Sequence, residues 1–472
     1  MTESTRHLFL EKSQQFRVNI RQQQLSTFFS TKRLKFSIPP PYFMDFHLSF
    51  SSLSEPALQS SLSTLKQSMV ANSNPLSYSE VIKTEMLPDI LIILGKFQDN
   101  PLIIADLYWI IGDLCSGESA FTTFFTSNEV GLLEKSIDFI IKFREKDQDQ
   151  LLSMIFFTLG NIVGSESSMA KILLKLDILN EIVEIFKIKR PLSLIQEITW
   201  FLSVFLDTKS NLLQKSIEKV YPVIAYCLLL DDVDVLRNSL WAGRIFFMNA
   251  DLTFIKCSIV IIDRVIKILN NMTESVEVEF PAVYIVGSLL SGSDEVARML
   301  ISKGILDIFA TKIEVKALKS QICWCIGNLL ACEAEDILVK VFRHNILMKK
   351  ILEVLVIGKN NEKREILYGL IESLKNLRVD SIRGLFARGL NEVLDVNLKS
   401  IDLKLKVLAL KGVKILGKRG KDIFREDGVN ELIERMDNEI DLGRVIEGIY
   451  NDEGNGETHR LSLKILEKYY YF

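Results

Sequence analysis

Trp324 and Asn328 stand four residues apart in the apolar stretch Gln321-Ile322-Cys323-Trp324-Cys325-Ile326-Gly327-Asn328-Leu329-Leu330. That stretch predicts a helix, and on a helix positions i and i+4 share one face. A flat ring and an amide are therefore presented together. The pair suits an extended peptide: the amide can donate to and accept from a strand's backbone. The ring can pack the aliphatic stem of Lys or Arg and attract its cation. Acidic groups at the ends of slots between such rings would recognise the head group. Phe157 and Asn161 repeat the pattern. In any one helix an aromatic at this spacing reads as core. A polar amide in a core must be fully paired, so the recurrence of the pair is what points to a binding face.

The elements that would position these residues form a periodic series. Aligned on the ring, they are Trp109/Asp113, Phe157/Asn161, Trp200/Val204, Trp241/Ile245, Tyr284/Ser288, Trp324/Asn328 and Tyr368/Glu372, at spacings of 48, 43, 41, 43, 40 and 44. A period in the low forties is the mark of a helical repeat array. A second series runs out of phase with it: Gly131, Asp177, Gly304, Asn345, Gly389 and Gly428 each precede an apolar segment. Gly, Asn and Asp tolerate the left-handed conformation that separates one helix sharply from the next. Each unit then reads as a short helix, a tight turn, a middle helix and a ring-bearing third helix. The expected fold is all-α, an armadillo-repeat right-handed superhelical solenoid of about ten repeats. Two-helix HEAT units of similar length are the alternative. Residues 1–55 read as a disordered basic arm, 56–436 as the array, and 437–472 as a C-terminal cap and terminal helix.

Composition agrees with a solenoid. With 472 residues and 48% hydrophobic content, the chain is too apolar for a disordered protein and too long for one ordinary core. The net charge of −3 is unevenly placed. Residues 1–50 hold seven Lys/Arg against three Asp/Glu, leaving 50 basic and 57 acidic residues in the rest. A basic arm on an acidic body predicts that the body attracts basic partners, its own arm included. The six Cys show no CxxC pair and the four His are scattered, so no metal or cofactor is expected. There is no glycine-rich phosphate loop and no nucleophile–His–acid set, which argues against an enzyme. The start lacks a secretory pattern, and the longest apolar runs, near Val223–Leu230 and Phe280–Val286, are too short to span a membrane. A soluble intracellular protein with neither nucleic acid nor membrane as partner is expected.

Several stretches resemble one family. Phe157-Thr-Leu-Gly-Asn161-Ile-Val-Gly164, Ile198-Thr-Trp200-Phe-Leu-Ser203 and Cys323-Trp324-Cys-Ile-Gly-Asn328 are similar to the motifs W-A-L-G-N-I-A-G, A-T-W-T-L-S and C-W-T-I-S-N of importin alpha (karyopherin alpha). Pro75–Leu94 resembles that family's first repeat, and Ile465-Leu-Glu-Lys-Tyr469 its ending. The resemblance implies a nuclear-import adaptor that shuttles between cytoplasm and nucleus and holds basic nuclear-localisation signals in extended form. It implies a major cargo site at Trp109, Asp113, Gly117, Thr122, Phe157, Asn161, Glu166 and Trp200. It implies a minor site at Tyr284, Ser288, Gly292, Trp324, Asn328, Glu365, Tyr368 and Glu372. Importin beta would bind the arm through Arg21, Lys32, Arg33 and Lys35, and an export receptor the C-terminal region. The tethered Lys32-Arg33-Leu34-Lys35 would also compete for the groove. Asp113 and Val204 stand where the family has Asn, Phe157 where it has Trp, and Gln22-Gln23-Gln24 replace part of a basic cluster. Only Trp324 and Asn328 keep both the family's Trp and its Asn, so the C-terminal site is expected to carry an unusual share of the affinity. An armadillo scaffold outside nuclear transport is the alternative function.

Overall fold

A computed structural model describes residues 54–71, 78–82, 86–207, 217–248, 251–271, 275–420, 430–452 and 456–470. The arm residues Arg21, Lys32, Arg33 and Lys35 lie outside them. All regular elements among the described residues are helices. The chain divides into two bodies, residues 1–223 and 224–472.

In the first body Glu55–Ala71 (α1) precedes three units, whose third helices are Pro101–Ser116 (α2), Asp149–Ser165 (α3) and Leu192–Leu206 (α4). In the second, Val233–Phe247 (α5) is followed by units ending in Val276–Leu290 (α6), Lys319–Leu330 (α7), Asn360–Ser373 (α8), Leu403–Gly420 (α9) and Glu457–Tyr469 (α10). The last unit contains Glu431–Ile440 and Leu442–Asp452, so three helices again stack on the array up to Tyr469. Within each body successive third helices pack side by side. This is the three-helix armadillo arrangement rather than the two-helix alternative.

Local sequence explains the boundaries. Asn100 accepts from the backbone N–H groups of Leu102 and Ile103, and Pro101 fills the first helical position, where no N–H partner is needed. Asp232 caps α5 through the N–H of Val235, 2.8 Å away. Gly131, Asp177, Gly304 and Gly389 hold φ values of 60°, 57°, 85° and 105° between first and second helices, as their residue types predict. Asn345 does not: it is helical, and His344 before it caps the helix by accepting from the N–H of Leu347. Asp441 takes a left-handed turn, φ 53°, that no glycine announced. Gly428 lies outside the described residues.

A third helix with a neighbour on each side within its body is covered on both flanks and behind by its own unit, so only a narrow arc is left accessible. Gly112, Gly160 and Gly287 make this close approach possible. A Cβ at Gly112 would sit 2.7 Å from the Phe157 ring, and one at Gly160 or Gly287 would intrude on the Trp200 or Trp324 ring. Each ring therefore packs against a glycine of the preceding third helix, three residues beyond that helix's own ring position.

Candidate ring-and-acid face

In the first body Trp109, Phe157 and Trp200 are half-buried on the accessible arcs of α2, α3 and α4. Phe157 and Trp200 stack directly, with centroids 6.0 Å apart and planes at 29°. A methylene chain held between two rings needs them about 7–8 Å apart, twice a carbon–carbon contact. The slot expected between this pair is thus closed, and the rings form a continuous shelf. Trp109 is engaged differently. Lys66 of α1 places Nζ 5.5 Å from its ring centroid and donates to Asp106 Oδ1 at 2.6 Å.

Asn161 is 7% exposed, and its Nδ2 meets no acceptor among the described residues. Asp113 is half-buried, and burial pushes its carboxyl up to about 6. Gly117 closes α2, its N–H bonded to the carbonyl of Leu114. Glu166 is exposed at the end of α3. Thr122 does not join them: it is 1% exposed, on the first helix of the next unit, beside Cys115.

In the second body the first three ring positions are packed shut. Trp241, Tyr284 and Trp324 form a chain of rings with centroids 5.6 and 5.8 Å apart, and all three are buried. Arg244 lies over the Trp241 ring. Gln321 Nε2 donates to the Tyr284 hydroxyl at 3.2 Å. Asn328 Nδ2 donates to the carbonyl of Gly287 at 2.9 Å. The amide expected to hold a peptide backbone holds the neighbouring helix instead. Tyr368, Glu365 and Glu372 remain half-buried together on α8, with Glu372 paired to Lys375 at 2.5 Å. Ser288 is half-buried one turn past Tyr284 on α6, and Gly292 is exposed just beyond the end of that helix.

The sequence reading missed Lys66, Asp106 and the glycines. The signal was present: Lys66 lies 43 residues before Trp109, at the ring position of the preceding unit, and Trp109, Phe157, Tyr284 and Trp324 are each followed by Gly at +3.

The fold and this face define an armadillo-type helical-repeat protein. No family model matches the chain. It is similar to importin subunit alpha-1b of Oryza sativa subsp. japonica, 24% identical over 255 residues. The match takes in 52% of this chain and 45% of the relative, so it spans about half of the curated protein. Among solved structures, an engineered protein aligns over 89% of this chain and 96% of its own at a TM-score of 0.71 with 12% identity, a likeness of fold alone. A designed armadillo repeat protein in complex with the peptide (KR)4 aligns over 52% of this chain at a TM-score of only 0.44 with 17% identity.

Proposed function

We propose that this chain is an adaptor of the importin-alpha type. It holds Lys/Arg-rich extended signals of cargo proteins against α2, α3 and α4, and an importin-beta carrier binds its basic N-terminal arm. It acts by binding, not catalysis, and shuttles between cytoplasm and nucleus, with an export receptor on the C-terminal region. The observation that carries this reading is the set of half-buried rings Trp109, Phe157 and Trp200 with Asp106, Asp113 and the unsatisfied Asn161 amide beside them. Lys or Arg stems lie across the ring shelf with their cations toward the carboxylates. The Asn161 amide is buried, and it meets a peptide carbonyl by turning its side chain outward, a move that its lack of an acceptor among the described residues favours. Fluorescence anisotropy with a labelled (KR)4 peptide tests this. The expected result is saturable binding that is absent for a Gln-substituted peptide and weakened at least tenfold by Trp200→Ala combined with Asn161→Ala. Equal binding of the neutral peptide would overturn the reading.

A further inference from the structure

The ring register does not end in a ring. Tyr368 immediately precedes Gly369, which packs on the backbone of Gly327 in the preceding third helix. One unit on, Gly412 packs on Ile371 of α8, and the residue before it is Lys411. The neighbour across the next helix confirms the position. Lys411 pairs with Glu457 of α10 at 3.0 Å, as Tyr284 meets Gln321 and Lys66 meets Asp106.

Helix α9 carries Lys404, Lys406, Lys411, Lys414, Lys418 and Arg419, and no Asp or Glu. Four of these, Lys404, Lys411, Lys414 and Lys418, are exposed. At 3.6 residues per turn they fall within an arc of about 80°. The flanks on either side are closed: Gly412 faces Ile371, and Gly417 lies under the Tyr469 ring of α10. The lysines therefore occupy the accessible arc of α9, where earlier third helices present rings and carboxylates.

We infer that this arc of α9 is a docking surface for an acidic peptide segment of a partner, separate from the proposed cargo site. From Lys404 to Lys418 the stripe runs about 21 Å along the helix, the reach of roughly six extended residues. Its lysines repel a basic signal and complement closely spaced Asp and Glu. Carboxylates border the stripe: Glu457 on α10 pairs with Lys411 at 3.0 Å, and Asp402 at its start accepts from the backbone N–H of Lys404 at 3.0 Å. They disfavour the uniform charge of a nucleic-acid backbone and suit a peptide whose acidic run is short. Glu457 already neutralises Lys411, so the acidic ligand competes with it.

The test uses the full chain and four labelled probes: an octapeptide of alternating Glu and Asp, its Gln/Asn version, (KR)4 and a decamer of uridine. The acidic peptide is expected to bind at low salt and the Gln/Asn version not at all. Replacing Lys404, Lys411, Lys414 and Lys418 together by Gln should weaken acidic-peptide binding at least tenfold and leave (KR)4 within twofold. Glu457→Gln, which frees Lys411, should tighten the acidic peptide two- to fivefold. Unchanged acidic-peptide binding in the quadruple variant, or tighter binding of the uridine decamer to the same lysines, would overturn the inference. Because (KR)4 is measured alongside, failure here is distinct from failure of the cargo site.

Discussion

The first and second bodies use one register in opposite ways. In the first, Trp109, Phe157 and Trp200 keep part of their surface accessible and the Asn161 amide has no acceptor among the described residues. In the second, Trp241, Tyr284 and Trp324 bury one another, and Asn328 bonds to Gly287. The pair that matches the sequence motif best is thus the one most consumed by packing. A ring and an amide at i and i+4 define a direction on a helix. Whether that direction is a groove or a core depends on how closely the next helix comes.

The largest effect expected from this contrast is on stability. Trp324→Ala removes a buried ring and leaves a cavity, and should cost about 3–5 kcal/mol. Trp200→Ala, at a half-buried site, should cost only about 1–2 kcal/mol. Urea denaturation followed by circular dichroism separates the two. Similar losses would break the contrast. Gly287→Ala should also destabilise, by about 1–3 kcal/mol, because its new methyl collides with a ring that cannot move outward.

A smaller effect is tied to pH. Burial pushes Asp113 up to about 6 from an ordinary 3.8. A carboxyl whose folded pKa is raised binds its proton more tightly in the folded state, so folding is favoured below about pH 4 and that advantage is lost as pH rises through 6. Asp113→Asn should therefore stabilise the chain by about 1–3 kcal/mol at pH 7, with the difference vanishing below pH 4. The same carboxyl is ionised above pH 6. Affinity for (KR)4 should accordingly fall between pH 7.5 and 5.5, and this slope should flatten in Asp113→Asn. A pH-independent stability difference would contradict the assignment.

The smallest expected effect concerns Lys66, which occupies the cation position on Trp109. The Lys66–Asp106 ion pair is partly buried, and with its cation–π contact it contributes about 0.5–1 kcal/mol. Lys66→Ala should thus tighten (KR)4 about two- to fivefold, measured by calorimetry. Weaker binding would mean that Lys66 supports the site instead of competing for it.

Much of the fold was legible because period and turn chemistry are local. Four of the six residues in the turn series sit at left-handed turns, and the ring ladder fell on consecutive third helices. Asp441 escaped notice because nothing in Glu439-Ile440-Asp441-Leu442 distinguishes it from a helix interior. His344 escaped because a side-chain cap replaced the expected backbone turn. The site was legible only as a register. Accessibility is set by neighbours some forty residues away: Gly287 accepts from Asn328, and Lys66 covers Trp109. Spacing within one helix carries no record of either contact. The lysine stripe on α9 was readable as charge, but it gained meaning only once Gly412 fixed Lys411 in the ring position.

The central claim is that a basic peptide binds the first body and not the buried rings of the second. Photo-crosslinking tests it directly, with a (KR)4 peptide carrying a benzophenone at either end, followed by peptide mapping of the adducts. The account predicts crosslinks within residues 102–118, 150–166 and 193–207. Crosslinks concentrated at residues 284–292 and 321–331 would contradict it.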